Sequence, residues 1–266
     1  MKFEKTTPAD LGRIRELSPA EWGIDITPSI KEYLDWDFCH SVKLVDNNEI
    51  IGIGTAIFYA NTSWLAHIIV DEKHRNKGHG TNILNYLVDY CKNSGYKTIL
   101  LIASPKGYPL YKKFGFLTQT EYVKYEKTND IEYSPNINIK NIEPNDYEKI
   151  LALDKYVSGE DRQNILLKFV KEGFVYKKNE EISGFYLHNL HEGLIIATDE
   201  EAGLELLKLR SSQNKYSVIP VENIVGNNYL KENNYKETMR IKRMIHGSEI
   251  ECKCECIYNR IAGNFG

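Results

Sequence analysis

Val70-Asp71-Glu72-Lys73-His74-Arg75-Asn76-Lys77-Gly78-His79-Gly80-Thr81 is the stretch whose reading decides the fold. The run before it, Ser63–Val70, is rich in β-branched residues and predicts a strand. The run after it, Gly80–Ser94, spaces Ile83, Leu84, Leu87, Val88 and Cys91 as one face of a helix, and Gly95 closes that helix. A strand therefore enters a tight, glycine-containing turn and leaves it as a helix. Such a turn exposes backbone N–H groups at a helix N-terminus, where the partial charge is positive. Gly78 and Gly80 carry no Cβ, so a diphosphate can approach the backbone, and Arg75 and Lys77 add charge at the rim. The expected ligand is a pyrophosphate. No Gly-Lys-Ser/Thr follows, which excludes a Walker loop, and Ile83 stands where a Rossmann fingerprint needs its third glycine. From these residues alone, a structural turn with a solvated charge run reads the same way.

Working outward, the remaining pattern is α/β with a mixed α+β sheet. Upstream come a strand at 2–6, a helix begun by Thr7-Pro8 and reaching Leu17, and a helical stretch at 29–36. Ser41–Val45 and Ile50–Tyr59 form a hairpin around Asp46-Asn47-Asn48. Downstream come a buried strand Thr98–Ala103, a helix Tyr108–Phe114 stopped by Gly115, and a strand Phe116–Lys127. Residues 129–138 hold Pro135 and few apolar side chains and mark a boundary. The same order of elements then recurs, ending in a strand at Tyr235–Ile245. The expected domains are 1–130 and 136–248, with 249–266 as a terminal strand and tail.

Composition narrows the class. The chain has 266 residues, 42% apolar and 27% charged, with net charge −3. Residues 1–130 carry 16 basic and 16 acidic side chains, and residues 131–266 carry 18 and 21. Neither half is basic, which argues against a nucleic-acid partner. The charged start Met1-Lys2-Phe3-Glu4-Lys5 is no signal peptide, and no apolar run is long enough to cross a membrane. Five cysteines, unevenly placed, make no disulfide framework, so a cytoplasmic location is expected.

Downstream of Ser104-Pro105-Lys106-Gly107, the segment Tyr108-Pro109-Leu110-Tyr111-Lys112-Lys113-Phe114-Gly115-Phe116 completes a pattern. Arg75, Gly78 and Gly80 match Gln/Arg-x-x-Gly-x-Gly/Ala, and Tyr111, Gly115 and Phe116 match an aromatic-bearing helix ending in Gly-Phe. Together they resemble the GNAT family of acetyl-CoA-dependent N-acetyltransferases. With Trp22, Asp25, Trp64 and Ala103-Ser104-Pro105, the chain is similar to a bacterial subgroup in which a second, degenerate GNAT-like domain follows the catalytic one. Ile102 stands where members often have Asp. In the second half Thr198-Asp199-Glu200-Glu201-Ala202-Gly203 occupies the place of the cofactor turn, and its three carboxylates would repel a diphosphate. The expected fold is therefore a tandem of GNAT-like folds with one acetyl-CoA site.

The resemblance implies roles. Ile68, Ile69 and Val70 would pair their backbone with pantetheine. Arg75, Asn76, Lys77, Gly78, His79, Gly80 and Thr81 would hold the pyrophosphate, with Ser104 and Tyr111 also at the cofactor. The amine would attack the thioester directly in a ternary complex. Tyr111 is the candidate acid for the leaving thiolate, with Tyr108 as substitute, and packing of Tyr111 against Leu110 and Phe114 is its structural alternative. His67 is a candidate base, although a strand histidine is more often simply hydrogen-bonded. Residues 21–37 hold five carboxylates and three large aromatics, which suit a cationic small-molecule or peptide amine, with Trp22 and Asp25 as acceptor contacts. A solvated acidic helix with a buried aromatic face is the alternative. Arg162 after Gly159 reads as a structural ion pair more readily than as a substrate contact. Cys252, Cys254 and Cys256 alternate as in a strand, and same-face residues about 7 Å apart cannot easily give three sulfurs to one zinc, so no metal is expected. A non-catalytic acyl-CoA-binding or regulatory protein is the second functional reading. The identity of the acceptor and the oligomeric state are not legible.

Overall fold

The computed structural model describes residues 1–19, 23, 25–129 and 132–266. Two compact units emerge: Met1–Leu101 with Phe265, and Ile102–Asn264 with Gly266.

The first unit contains strands β1 (Lys2–Lys5), β2 (Cys39–Asp46), β3 (Glu49–Phe58), β4 (Ser63–Val70) and β5 (Thr98–Ala103, its last two residues in the second unit). Its helices are α1 (Leu11–Leu17), α2 (Thr27–Asp35) and α3 (His79–Asn93). The strands follow the order β1-β2-β3-β4-β5. All neighbours are antiparallel except β4 and β5. The β2–β3 turn uses Asn47 at φ 46° and Asn48 at φ 65°, two left-handed positions that asparagine tolerates and that match the twist of a tight hairpin. Helix α3 lies on the sheet because β3 is bare beneath it. A Cβ on Gly54 would stand 2.7 Å from Ile83 and Leu87, and one on Gly52 would stand 2.8 Å from Ile83. The apolar face of α3 foreseen from spacing is buried throughout, with Ile83, Leu84, Leu87, Val88 and Cys91 at 0–1% exposure. Each large aliphatic so buried contributes about 1.5–3 kcal/mol.

The second unit contains α4 (Tyr108–Phe114), β6 (Leu117–Glu126), β7 (Ile139–Asn141), α5 (Tyr147–Ser158), α6 (Gln163–Phe169), β8 (Phe174–Lys178) and β9 (Glu181–Leu187). It continues through β10 (Leu194–Ala197), α7 (Glu200–Gln213), β11 (Tyr216–Pro220), α8 (Ile224–Glu232), β12 (Lys236–Gly247) and β13 (Ile257–Asn259). The run from β7 to β12 repeats the order of the run from β1 to β6. Within this unit β6 lies between β12 and β11, antiparallel to both, while β13-β10-β9-β8-β7 form another sheet. That pairing is why residues 117–126 group with the later chain and the units divide at Leu101 and Ile102, ahead of the 129–138 segment.

Two buried ion pairs and one part-buried one brace the second unit. Arg162 binds Asp154 at 2.5 Å, Arg243 binds Glu160 at 3.0 Å, and Arg260 binds Glu192 through two bonds of 2.8 Å. The structural reading of Arg162 is the one its geometry supports.

One local expectation fails. Cys252 to Cys256 is not a strand: Cys254–Cys256 is a turn of 3-10 helix, and Lys253 before it sits at φ −84°, ψ 70°. The strand is the next three residues, β13. Alternating polarity over five residues cannot distinguish these outcomes, because backbone hydrogen bonds such as Lys253 N–H to Val157 O (2.8 Å) override the local pattern.

Candidate functional site

The turn after β4 is built as the glycines require. Gly78 is left-handed at φ 84° and caps α3, and Asn76 is left-handed at φ 62°. An L side chain at residue 78 would be strained, yet the space its Cβ would enter holds no atom within 4 Å. Asn76, Lys77 and Gly78 are exposed, and α3 makes its first bond from Asn82 N–H to Gly78 O at 3.1 Å. The amides before Asn82 therefore stand at an open helix N-terminus, and Gly80 and Thr81 belong to that first turn.

The rim is anchored. Arg75 donates from Nε to Val70 O at 3.2 Å, tying the turn to the end of β4. Asp71 accepts from Lys73 N–H at 2.9 Å and from Arg13. Burial opposes the charge on Asp71, but these bonds outweigh it and hold the carboxyl below its usual range.

Strand β4 changes character along its length. Its parallel pairing with β5 runs from Ser63↔Ile99 to Leu65↔Leu101. The β3 register then jumps from Thr55↔Ala66 to Ile53↔Ile69, so one extra residue is inserted in β4. His67 takes that bulge at φ 48°. A non-glycine residue held there costs about 1–3 kcal/mol, and such strain concentrates at functional sites. Ile68, Ile69 and Val70 follow directly.

His67 Nδ1 lies 3.2 Å from the Tyr33 hydroxyl of α2. Tyr33 in turn contacts Trp36 (ring centroids 6.5 Å apart) and Phe265 (5.9 Å), and Trp36 stacks on Phe38 at 5.1 Å. Glu32 of the same helix is half-buried, and burial raises its carboxyl above the usual range. Aromatic faces and an imidazole thus gather beside the β4 bulge, with Tyr33 on the helix that also carries Glu32. The sequence marks this segment, Tyr33 included, through its aromatics and acids, but gives Tyr33 no role of its own and does not point to Phe265, which nothing local separates from the other phenylalanines.

Asp25 serves its own helix. It accepts from Thr27 N–H (2.9 Å) and the Thr27 hydroxyl (2.6 Å), and it pairs with Arg15 at 3.0 Å. The Thr27 hydrogen bonds lower its pKa. Trp22 lies outside the described residues.

In the second unit, Ser104 Oγ accepts from Gly107 N–H at 3.2 Å at the start of α4. Tyr111 packs over that turn, and a Cβ on Gly107 would meet its ring at 2.8 Å. Burial pushes the Tyr111 phenol up to about 12, so it is fully protonated at neutral pH. Tyr108 lies beneath the Lys242 ammonium, 5.0 Å from the ring centre.

The 198–203 stretch at the start of α7 is filled by its own chain. The Asp199 carboxylate accepts Ala202 N–H at 2.9 Å. The Tyr258 ring lies on Gly203, where a Cβ would come within 2.1 Å of it. Its strand, β13, pairs antiparallel with β10 through Ile195↔Asn259 and Ile196↔Ile257. On its other side Asn259 Oδ1 accepts Val218 N–H at 2.8 Å, and Arg260 N–H donates to Val218 O at 3.1 Å. Thus β13 bridges β10 and β11.

Residues 11–116 match the model of the Acetyltransferase (GNAT) family. It is similar to YobR, an uncharacterized N-acetyltransferase of Bacillus subtilis, with 30% identity over 83 residues, covering 30% of this chain and 34% of that protein. Its similarity to the B. subtilis uncharacterized N-acetyltransferase YitH is 25% over 174 residues, covering 61% of each. The chain therefore spans about a third and about three fifths of these two relatives. Over its full length it shares the fold of a crystal structure of a candidate acetyltransferase from Pyrococcus horikoshii, with TM-score 0.82, 23% identity and 95% of that chain covered. No helix among the described residues is long and apolar enough to cross a membrane, and those residues include no cluster suited to a metal ion.

Proposed function

We propose that the chain is an acetyl-CoA-dependent N-acetyltransferase that moves an acetyl group to a primary amine by direct attack in a ternary complex. The observation that carries this reading is the turn at Asn76–Thr81: an open helix N-terminus, two left-handed residues and no atom in front of Gly78. A pyrophosphate fits such a site through backbone N–H donors and the helix dipole. The backbone of Ile68–Val70 is proposed to pair with the pantetheine, and a β4 N–H near the bulge to stabilise the developing oxyanion, a contribution of about 3 kcal/mol. His67, hydrogen-bonded to Tyr33, is proposed to accept the amine's proton. Half-buried Glu32 is a second acceptor for it. The aromatic faces around Tyr33 and Trp36 favour a cationic small-molecule or peptide amine.

Tyr111 is proposed as the acid for the leaving thiolate. Its raised pKa of about 12 widens the gap to a thiol near 8.5 to roughly 3–4 pH units. That burial is the observation favouring the second reading, a non-catalytic acyl-CoA-binding protein. The run from β7 to β12 is proposed as a degenerate GNAT-like repeat, with one acetyl-CoA site in the whole chain.

Calorimetric titration with acetyl-CoA, followed by thiol-release assays against a panel of amines, tests both readings. One equivalent bound and thiol released on an amine supports the transferase. Binding with no release on any amine favours the binding protein, and no binding overturns both.

A further inference from the structure

Three cysteines in the 252–256 segment take no part in the proposed transfer, and two of them are built into a chemical pair. Lys253 at φ −84°, ψ 70° adopts an inverse γ-turn, which folds its two neighbours toward each other. Cys254 Sγ donates to Cys252 Sγ at 3.0 Å. Arg243 donates to the Cys252 sulfur at 3.3 Å and holds Glu160 at 3.0 Å with its other nitrogen. Arg243 and Glu160 are at most 1% exposed, so this guanidinium is fixed beside the sulfur. The segment is fixed too, since Gly159 leaves room for the Glu251 carbonyl and Val157 O accepts Lys253 N–H. Cys252 is partly exposed, whereas Cys254 is buried.

We infer that Cys252 and Cys254 form a reversible redox couple, in which a hydroperoxide oxidises Cys252 and Cys254 closes a disulfide.

The arrangement assigns the order of events. The hydrogen bond from Cys254 lowers the Cys252 thiol to about 7, and Arg243 adds to this against the opposing effect of burial. The same bond, with burial, raises Cys254. The nucleophile is therefore the cysteine of the more exposed residue, and the resolving thiol belongs to the buried one. The Cys252 thiolate attacks the distal oxygen of ROOH. An S–O bond forms, the O–O bond breaks, and RO⁻ leaves to take a proton from water, which gives Cys252 sulfenic acid. Cys254 sulfur then attacks the Cys252 sulfur. The S–O bond breaks, and its oxygen leaves as water carrying the Cys254 proton. Two thiols and ROOH become one disulfide, ROH and water. The sulfurs need to approach by about 1 Å, which side-chain rotation at a γ-turn supplies. A dithiol returns the pair to its reduced state by exchange. Cys256 lies beyond the γ-turn on the following 3-10 turn and is not a partner.

The test uses the full chain, treated with hydrogen peroxide at neutral pH, then unfolded, alkylated and mapped by peptide mass. The expected peptide carries Cys252 and Cys254 unalkylated and lighter by two hydrogens, and dithiothreitol restores both alkylations. Cys256→Ser leaves this result unchanged, and Cys252→Ser abolishes oxidation at Cys254. A second measurement, the pH dependence of Cys252 alkylation by iodoacetamide in the untreated protein, is expected to show a midpoint well below that of an ordinary thiol. The inference is overturned if both thiols still alkylate after peroxide, if Cys252 proceeds to sulfinic or sulfonic acid in place of a disulfide, or if the bond joins Cys256.

Discussion

Two strand–turn–helix segments in this chain have the same outline and opposite solutions. In the first unit, β4 ends its pairing with β5 at Leu65, bulges at His67, and opens into an exposed turn with Gly78 left-handed. In the second, β10 takes β13 as a neighbour, Asp199 accepts a backbone N–H of the α7 first turn, and Tyr258 covers Gly203. A helix N-terminus is thus not an anion site by virtue of being a helix N-terminus. What matters is whether the chain spends its own groups there. Where a carboxylate already accepts a donor and an aromatic ring covers the turn, as with Asp199 and Tyr258, a diphosphate meets repulsion and occupied space. Tyr258 itself shows the effect: burial, reinforced by Glu200 and Asp199, raises its phenol.

This contrast is open to attack from both sides. The largest effect is expected from Gly78→Glu, which puts a carboxylate and a left-handed strain at the open turn. Acetyl-CoA affinity should fall by about 100-fold or more in calorimetry, with the thermal midpoint lowered only by the left-handed strain of about 1–3 kcal/mol, since the side chain meets no atom. Unaltered affinity would sink the anion-site reading. Next is Asn259→Ala, which removes the bonds to Val218 N–H, Gly193 O and Glu192 O. Urea denaturation should show a loss of about 2–4 kcal/mol, with acetyl-CoA stoichiometry still one. A second equivalent bound by this variant would mean that β13 alone had closed the groove. Tyr111→Phe should lower turnover about 10- to 100-fold with affinity kept, and equal turnover would remove the phenol from the chemistry.

The smallest effect concerns Glu32. Burial raises its carboxyl in the folded state above the unfolded value, so folding binds a proton more tightly there. Stability from this group is therefore present at low pH and is lost as pH rises through the folded pKa. Glu32→Gln should stabilise the protein modestly at pH 7 and leave it unchanged near pH 3, as read from thermal midpoints across pH. An unchanged midpoint at pH 7 would show that Glu32 is effectively solvated.

What could be read in the sequence follows from where the cause lies. Gly78, Gly95 and Gly115 sit at left-handed φ because of local geometry, so helix boundaries and the turn were visible in advance. The apolar face of α3 was equally visible, since its period of 3.6 is local. His67 at a bulge was not, because no residue type marks that position and the cause is the register between β3 and β4. Asp25 was foreseen as an acceptor contact, but its neighbours Thr27 and Arg15 engage it as a cap and an ion pair. The terminal strand is expected within 249–266 but on the wrong residues, 252–256 in place of β13, because its partners, Ile195 and Val218, lie far back along the chain and three residues carry no periodicity of their own. The Cys252–Cys254 pair depended on one ψ angle at Lys253, which composition does not encode.

Strand β6 carries a consequence for how the molecule is made. It is flanked by β11 and β12, with Glu126 opposite both Tyr216 and Lys236. On a ribosome adding about 5–20 residues per second, a strand near residue 126 waits roughly 6–24 seconds for a partner near residue 247. Until β11 at Tyr216–Pro220 is made, both hydrogen-bonding edges of β6, and its apolar side chains Tyr122, Val123 and Tyr125, lack their later neighbours, and the β12 edge stays open for the rest of the interval. A nascent chain in that state is a template for another copy's strand. The interval between translation of β6 and of β11 is therefore a period of aggregation risk, and a ribosome stalled there would release a chain whose β6 has two unpaired edges. For the same reason a gene cut at the 129–138 segment would yield a first half whose last strand has lost both the partners it has here.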